Sequence, residues 1–149
     1  MHSEYMKKAL SEAKLASIEG EVPVGAVIVK DGEIISAAHN LRENTGDATA
    51  HAEVLAIRKA CETLGGWHLE KCTLYVTLEP CPMCMGAIIN SRLGKVVYGA
   101  KDAKAGACGS VIDLRSYPLN HKPQVESGFM SEESLSILSD FFKQKREKK

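Results

Sequence analysis

Two short stretches of the sequence contain side chains that could hold a metal ion. His51 and Glu53 are two residues apart in His-Ala-Glu, and Cys81 and Cys84 belong to Pro-Cys-Pro-Met-Cys. One imidazole and two thiolates suit Zn2+, which prefers tetrahedral nitrogen and sulfur ligands. Three protein ligands would leave a fourth position for water, as in catalytic zinc sites. The pattern therefore predicts a zinc ion held by His51, Cys81 and Cys84.

The spacing of His51 and Glu53 restricts where such a site can lie. The two side chains would point about 200° apart on the flank of a helix, so they can share a site only at a helix end. A helix predicted from about Ala50 to Leu64, and another with Pro82 in its first turn, provide two such ends. We expect the metal between these helix starts, at the sheet edge, with Glu53 as the proton-transfer group.

A closed structural zinc site is the alternative, because it requires only one further protein ligand. The spacing does not exclude Cys72, Cys108, His39, His68 or His121 from that place. Cys61 lies about 15 Å along the helix from His51 and is too far away. A structural site has no use for Glu53, so the complete motif favours a catalytic site.

The elements that must position these residues alternate between helices and strands. The predicted helices cover residues 3–19, 50–64, 83–89 and a stretch that begins at Ser131. The predicted strands cover 24–29, 33–38, 73–78, 95–100 and 124–126, with a hairpin turn at Asp31-Gly32 and a loop over 40–49. Strands 73–78 and 95–100 are continuous apolar runs separated by a helix, which is typical of parallel strands covered on both faces. In the last helix, Leu135, Leu138 and Phe142 are expected to form the apolar stripe.

Size and composition limit the class of protein. The chain has 149 residues, of which 44% are hydrophobic and 26% charged, so we expect one soluble domain over residues 1–149. Nineteen basic and nineteen acidic residues cancel, which argues against a nucleic-acid binder with an overall basic excess. The charge is uneven, however, because a basic C-terminal tail, residues 143–149, holds five Lys or Arg and one Glu.

The location of the protein is also suggested by its sequence. The N-terminal residues show no apolar run of signal length, and no segment approaches the length of a membrane span. Five cysteines are an odd number, which disfavours a disulfide framework. We expect a cytoplasmic protein that does not bind membranes.

Motifs along most of the chain resemble the zinc-dependent cytidine and adenosine deaminase superfamily. The matches are Glu21–Val29 (EVPVGAVIV), Thr49–Glu53 (TAHAE), Thr77–Cys84 (TLEPCPMC) and Gly99–Ser110 (GAKDAKAGACGS). The last of these segments, together with the basic final helix that carries Phe141 and Phe142, resembles the branch that acts on tRNA. The chain departs from the pattern at Ala48, where the family usually has proline.

This resemblance implies both a fold and a reaction. The fold is α/β, a three-layer α/β/α cytidine deaminase-like domain with a mixed, mostly parallel five-stranded sheet. The reaction is hydrolytic deamination of adenosine to inosine at the wobble position of a tRNA anticodon. One Zn2+ per chain would activate a water, whose proton passes to Glu53. The implied partners are a tRNA anticodon stem-loop and a second copy of the chain in a homodimer.

The resemblance also implies a set of substrate contacts. Asn40 would contact the target nucleoside, Val24 and Ala52 would line the base pocket, and Asp102 and Lys104 would hold flanking nucleotides. Each also has a simpler interpretation: a strand end for Asn40, core packing for Val24 and Ala52, and solvated loop charges for Asp102 and Lys104. Phe141 and Phe142 diverge by about 100° on a helix. One of them, with Phe142 as our candidate, would stack on a base.

Two other functions stay open at this point. A deaminase of a free nucleobase or nucleoside, such as guanine or cytosine, would keep the chemistry but would not need the basic tail or the segment 102–110. A non-catalytic, zinc-stabilised RNA-binding module would need the metal but not Glu53. Zinc removal distinguishes this module from an enzyme, because it would unfold the module and mainly stop turnover in the enzyme.

Overall fold

The computed structural model describes residues 2–147, which form five α-helices, five strands and a 3-10 turn at Leu114–Ser116. In chain order they are α1 (His2–Ile18), β1 (Gly25–Lys30), β2 (Glu33–His39), α2 (Arg42–Thr45), α3 (Ala52–Leu64), β3 (Cys72–Leu78), α4 (Pro82–Asn90), β4 (Lys95–Ala100), β5 (Gln124–Ser127) and α5 (Ser131–Glu147). All predicted elements are present, and α2 lies within the predicted loop 40–49. No helix in this part of the chain combines the length and the hydropathy needed to span a bilayer.

The five strands form one mixed sheet in the order β2-β1-β3-β4-β5. β1 is antiparallel to both of its neighbours, whereas β3, β4 and β5 pair in parallel. Only β1 therefore runs against the others, and the prediction of a mixed, mostly parallel five-stranded sheet is confirmed. The β1–β2 hairpin turns at Asp31 and Gly32, whose φ angles of 51° and 77° are both positive, as a tight two-residue turn requires.

Helices cover both faces of this sheet, so the three-layer arrangement is confirmed. Successive β1 residues alternate between the layers, because Ala26 and Ile28 pack toward α3 and α4 while Val27 and Val29 pack toward α1. α5 lies beside α1 on β4. At Gly25 the first helix crosses so closely that a Cβ would overlap the carbonyl oxygen of Ala9, and only glycine fits.

The predicted stripe of α5 is wrong in its phase. The predicted residues are Leu135, Leu138 and Phe142. Leu135 is 51% exposed and Phe142 is 41% exposed, whereas Ser134 and Phe141 are buried. The reason is a close approach to β4, since a Cβ on Gly99 would lie 2.6 Å from the Ser134 hydroxyl. A small polar side chain thus occupies the centre of the buried face, where the pattern suggested a large apolar one.

The basic end of the chain continues this helix. Lys143, Lys145 and Arg146 are exposed on the last turns of α5, which ends at Glu147. Lys148 and Lys149, the remaining bases of the predicted tail, lie outside the described residues. The charge of residues 143–147 is therefore carried on a helical surface at a defined place in the fold.

Candidate active site

Two helix starts bring the histidine and both cysteines together. His51 is the N-cap residue of α3, and Cys81 is the N-cap residue of α4, with Pro82 in its first turn. Nδ1 of His51 lies 3.7 Å from Sγ of Cys81 and 3.5 Å from Sγ of Cys84. The three side chains therefore meet between the starts of two helices, on the α3 and α4 side of the sheet.

The distances within this cluster fit a tetrahedral zinc ion. Typical Zn–S and Zn–N bond lengths place a nitrogen and a sulfur ligand about 3.5 Å apart. The ligand atoms of His51, Cys81 and Cys84 all lie within 4.8 Å of one another, and no fourth His, Cys, Asp or Glu of residues 2–147 joins the group. The donor set of one nitrogen and two sulfurs is the one that zinc prefers, and it leaves room for a non-protein ligand.

The histidines considered as a fourth ligand are engaged elsewhere. His39 pairs with Glu12 and Glu19, His68 pairs with Glu70, and Nε2 of His121 lies 2.7 Å from the carbonyl oxygen of Leu93. These contacts give no support to a closed structural site that uses any of them.

The three side chains of the cluster hold their protons unequally. A hydrogen bond from Cys84 lowers the pKa of Cys81 to about 4, with help from His51 and against the effect of burial. The same hydrogen bond, together with burial, raises the pKa of Cys84. The contact with Cys81 raises the pKa of His51. A bound cation would displace the proton held by these groups, as metal binding to thiols does.

Glu53 lies beside this cluster in the first turn of α3. Its side chain is only 4% exposed, and burial raises its pKa to about 7. A carboxyl group with a pKa near neutral can both accept and return a proton at physiological pH. The position of Glu53 therefore suits proton transfer at the edge of the cluster of His51, Cys81 and Cys84.

A small cavity of about 220 Å³ opens onto His51, Glu53 and Cys81. Its other lining residues are Val22, Val24, Asn40, Arg42, Leu78, Glu79, Asp102 and Ala105. A larger groove of about 700 Å³, between α1 and α5, contains none of the predicted site residues. The cavity is small by the standard of pockets for drug-sized ligands, which suits a single base inserted from a larger substrate.

The residues predicted to contact substrate divide into three groups. Val24, Asn40 and Asp102 line the cavity. Ala52 is fully buried and does not line it. Lys104 and Phe142 are exposed outside the cavity, on the loop after β4 and on α5 respectively.

The side chain of Asn40 is already part of the local structure. Its Oδ1 accepts a hydrogen bond from the N–H of Ala52 at 2.8 Å, and its Nδ2 donates to the carbonyl oxygen of Val22 at 3.0 Å. The amide thus ties the end of β2 to the start of α3. It fixes the helix start that presents His51 and Glu53.

Sequence reasoning missed two buried glutamates that hold the walls of the cavity. The carboxylate of Glu21 accepts hydrogen bonds from the N–H groups of Glu43 and Asn44, at 3.1 and 2.7 Å, and so caps α2, which carries Arg42. The carboxylate of Glu79 accepts hydrogen bonds from the N–H groups of Asp102 and Cys108 in the same manner, and Asp102 lines the cavity. The available signal was an acidic residue next to an apolar strand, in EVPVGAVIV and again in TLEPC.

Comparisons with known proteins agree along nearly the whole chain. The sequence matches the model of the MafB19-like deaminases over residues 1–146. It is 54% identical, over 146 residues, to the tRNA-specific adenosine deaminase of Bacillus subtilis (strain 168), with 97% of this chain and 91% of that protein covered. A structure solved in studies of A-to-I editing by tRNA:A34 deaminases superimposes with a TM-score of 0.89 at 46% identity, covering 91% of this chain and 99% of the other. The guanine deaminase of Bacillus subtilis is less similar, with a TM-score of 0.65, 38% identity and coverage of 80% and 87%.

Proposed function

The chain belongs to the MafB19-like deaminase family, and we propose that it converts adenosine to inosine at the wobble position of a tRNA anticodon. One observation carries this proposal: an imidazole, two thiols and a buried carboxyl group meet at a cavity sized for one base. The overall similarity to tRNA-specific adenosine deaminases, which exceeds that to a guanine deaminase, supports the choice of substrate.

We infer that His51, Cys81 and Cys84 hold one Zn2+. When bound, the zinc supplies the Lewis acidity that makes a water molecule nucleophilic near neutral pH. The thiolate of Cys81, favoured by its low pKa, and the Nδ1 atom of His51 supply two of the three protein bonds. The Asn40 amide holds the backbone N–H of Ala52 and so helps to fix the start of α3, which carries His51.

Glu53 performs the proton transfers. It takes one proton from the water as the oxygen adds to C6 of adenine and gives it to N1 of the ring, and it then takes the second proton from the new C6 hydroxyl and gives it to the leaving amino group. The C6–N bond breaks, ammonia leaves, and inosine retains the oxygen of the water. Adenosine and water are thereby converted to inosine and ammonia with no net change in protons on the enzyme.

The residues that line the cavity are the proposed contacts with the substrate. We propose that Val24 and Asn40 contact the target nucleoside and that Asp102 holds a neighbouring nucleotide, because all three line the cavity. Lys104 and Phe142 would contact RNA outside it, as their exposure permits. Ala52 would support the pocket wall from behind, since its side chain is fully buried.

The basic end of α5 is the proposed contact with the RNA backbone. Deletion of Lys145–Lys149 should flatten the dependence of binding on salt, whose slope is about −0.7 per phosphate neutralised on single-stranded nucleic acid. Lys71→Gln serves as the matched control, because Lys71 precedes β3 at the end of the strand opposite the cavity. An unchanged slope after the deletion would exclude the α5 contact.

We also propose a cytoplasmic homodimer. One surface of the protein exposes several apolar side chains. They are Met83 on α4 and, on either side of the neighbouring 3-10 turn, Val111, Ile112, Tyr117 and Leu119. A second copy of the chain would cover this surface, as exposed apolar patches of this kind commonly require. Equilibrium sedimentation tests this directly, and a monomer at micromolar concentration would contradict it.

The decisive experiment uses an anticodon stem-loop that carries adenosine at the wobble position. The purified protein is incubated in parallel with the stem-loop, free adenosine, cytidine and guanine, and the products are separated chromatographically. We expect inosine from the stem-loop and no turnover of the free compounds. Activity on guanine alone would replace the proposal with a free-base deaminase, and no activity on any substrate would refute it.

A further inference from the structure

We propose that Glu79 is a positioning residue that shapes one wall of the cavity by holding residues 102–110, here called the rim loop, around its carboxylate. The inference rests on the proposed function, because the rim loop is the segment expected to contact nucleotides next to the target. Glu79 directly follows β3 and is 2% exposed.

Both carboxylate oxygens of Glu79 accept hydrogen bonds from the rim loop. Oε1 accepts from the N–H of Asp102 at 3.0 Å and from the hydroxyl of Ser110. Oε2 accepts from the N–H of Cys108 at 2.9 Å and from that of Ser110 at 3.2 Å. The donors come from both ends of the loop, so one interior side chain joins its beginning to its end.

The loop is also shaped to fit this carboxylate. A Cβ on Gly106 would overlap the carboxylate atoms of Glu79, so the middle of the loop passes at a distance that only glycine allows. The rim loop thus surrounds the carboxylate from its first residue to its last.

Asp102 extends the effect of Glu79 to the cavity. Its backbone N–H is held by Glu79, and its own Oδ1 accepts from the N–H groups of Lys104 and Ala105 at 3.0 and 3.2 Å. Asp102 and Ala105 are the two rim-loop residues that line the cavity. The backbone contact of Glu79 with Asp102 therefore sets the position of the wall that faces the substrate.

A carboxylate is the only side chain of this length that can accept all four hydrogen bonds. Glutamine has one acceptor oxygen, and its NH2 group would face N–H donors. Glu79→Gln consequently leaves part of the rim loop without a partner, while the volume of the side chain hardly changes. This substitution isolates the hydrogen-bonding role of Glu79 from its packing.

The first test measures the loop directly, without substrate. Amide hydrogen exchange is compared in the zinc-loaded wild type, in Glu79→Gln and in the matched control Glu70→Gln, whose carboxylate is exposed beside His68. We expect exchange at Asp102, Cys108 and Ser110 to accelerate by about tenfold or more in Glu79→Gln alone, since their acceptors are lost. Unchanged protection of these three amides would overturn the proposal.

The second test separates positioning from catalysis. With the anticodon stem-loop as substrate, Glu79→Gln should raise KM by about tenfold, change kcat by less than about threefold and keep the zinc content of the wild type, because the loss falls on binding that is not confined to the transition state. A fall in kcat with loss of zinc and an unchanged KM would show that Glu79 acts through Cys81 instead, and would refute the proposal.

Two further measurements keep the outcomes distinct. If the wild type does not convert the stem-loop, the proposed function fails, while hydrogen exchange still decides whether Glu79 anchors the loop.

If Glu79→Gln does not fold, Ser110→Ala replaces it, since this substitution removes only the hydroxyl donor. That variant should shift exchange and KM in the same direction by a smaller factor, and no shift in either would overturn the proposal.

Discussion

Two buried carboxyl groups face the same cavity and behave in opposite ways. Glu53, beside His51, Cys81 and Cys84, is 4% exposed and has its pKa raised to about 7 by burial. Glu79, under the rim loop, is 2% exposed, yet its pKa is lowered, because hydrogen bonds from Ser110, Asp102 and Cys108 outweigh the opposing effect of burial. Burial alone therefore does not decide whether a carboxyl group is charged; the number of donors aimed at it does.

The surroundings of each residue explain this difference. Glu53 lies in the first turn of α3, where its own backbone N–H favours the charged form against the larger effect of burial. Glu79 follows a strand, and the chain returns to wrap it with four donors. One carboxyl group is thus able to gain and lose a proton near neutral pH, and the other serves as a fixed anion in the fold.

The largest expected effect comes from removing the proposed proton-transfer group, the carboxyl group of Glu53. Glu53→Gln should lower kcat on the stem-loop by about 10² to 10⁴, the usual contribution of a general acid–base group. Zinc content, measured by atomic emission, should match that of the wild type, because Glu53 is not among the clustered ligands. Turnover at the wild-type rate would remove the distinction drawn between the two glutamates.

A smaller effect is expected from placing a methyl group beside the carboxylate of Glu79. Gly106→Ala places a methyl group against the carboxylate of Glu79 and should lower the free energy of unfolding by about 1 to 3 kcal/mol. Gly66→Ala is the matched control, since a Cβ there meets nothing within 4 Å and should change stability by less than about 0.5 kcal/mol. Urea denaturation measures both, and equal midpoints for the two variants would contradict a tightly wrapped carboxylate.

The smallest expected effects depend on pH, and they should have opposite signs at the two sites. Because the pKa of Glu79 is lowered in the folded protein, this residue contributes to stability above pH 4.5, the ordinary pKa of a glutamate. That contribution is lost as the pH falls through the pKa of Glu79 in the folded protein. The difference in unfolding free energy between the wild type and Glu79→Gln should therefore shrink below pH 4.5.

For Glu53 in the metal-free protein the pKa is raised, so the direction reverses. The contribution of Glu53 to stability is fully present below pH 4.5 and is lost as the pH rises toward its pKa of about 7 in the folded protein. Glu53→Gln should gain stability relative to the wild type over that interval. Chemical denaturation of the metal-free proteins at several pH values measures both trends, and trends of the same sign would show that the two carboxyl groups do not differ as described.

The features that could be predicted from sequence are those encoded locally. The Asp31-Gly32 turn needs only two residues that accept positive φ, and the start of α4 needs only Pro82 and its neighbours. The convergence of His51 with the cysteines followed from one further step, because residues two positions apart, such as His51 and Glu53, cannot share a site on the flank of a helix and can meet only at its end. Periodicity and spacing were enough for these elements.

The features that escaped prediction depend on contacts between distant parts of the chain. α2 has four residues, too few to show a helical period. The role of Glu79 appears only when residues more than twenty positions later fold back onto it. The phase of α5 follows from the absence of a side chain at Gly99, which lies on β4. Each depends on a partner that the local sequence does not contain.

The way in which the rim loop is built bears on how this family can diversify. Its course is set by backbone N–H groups and by an interior side chain outside the loop. The exposed side chains of Ala103 and Lys104 contribute no hydrogen bond to this arrangement within the described residues. Substitutions at these two positions can therefore change the chemistry that the rim loop exposes while its course stays the same, so this surface can evolve separately from foldability.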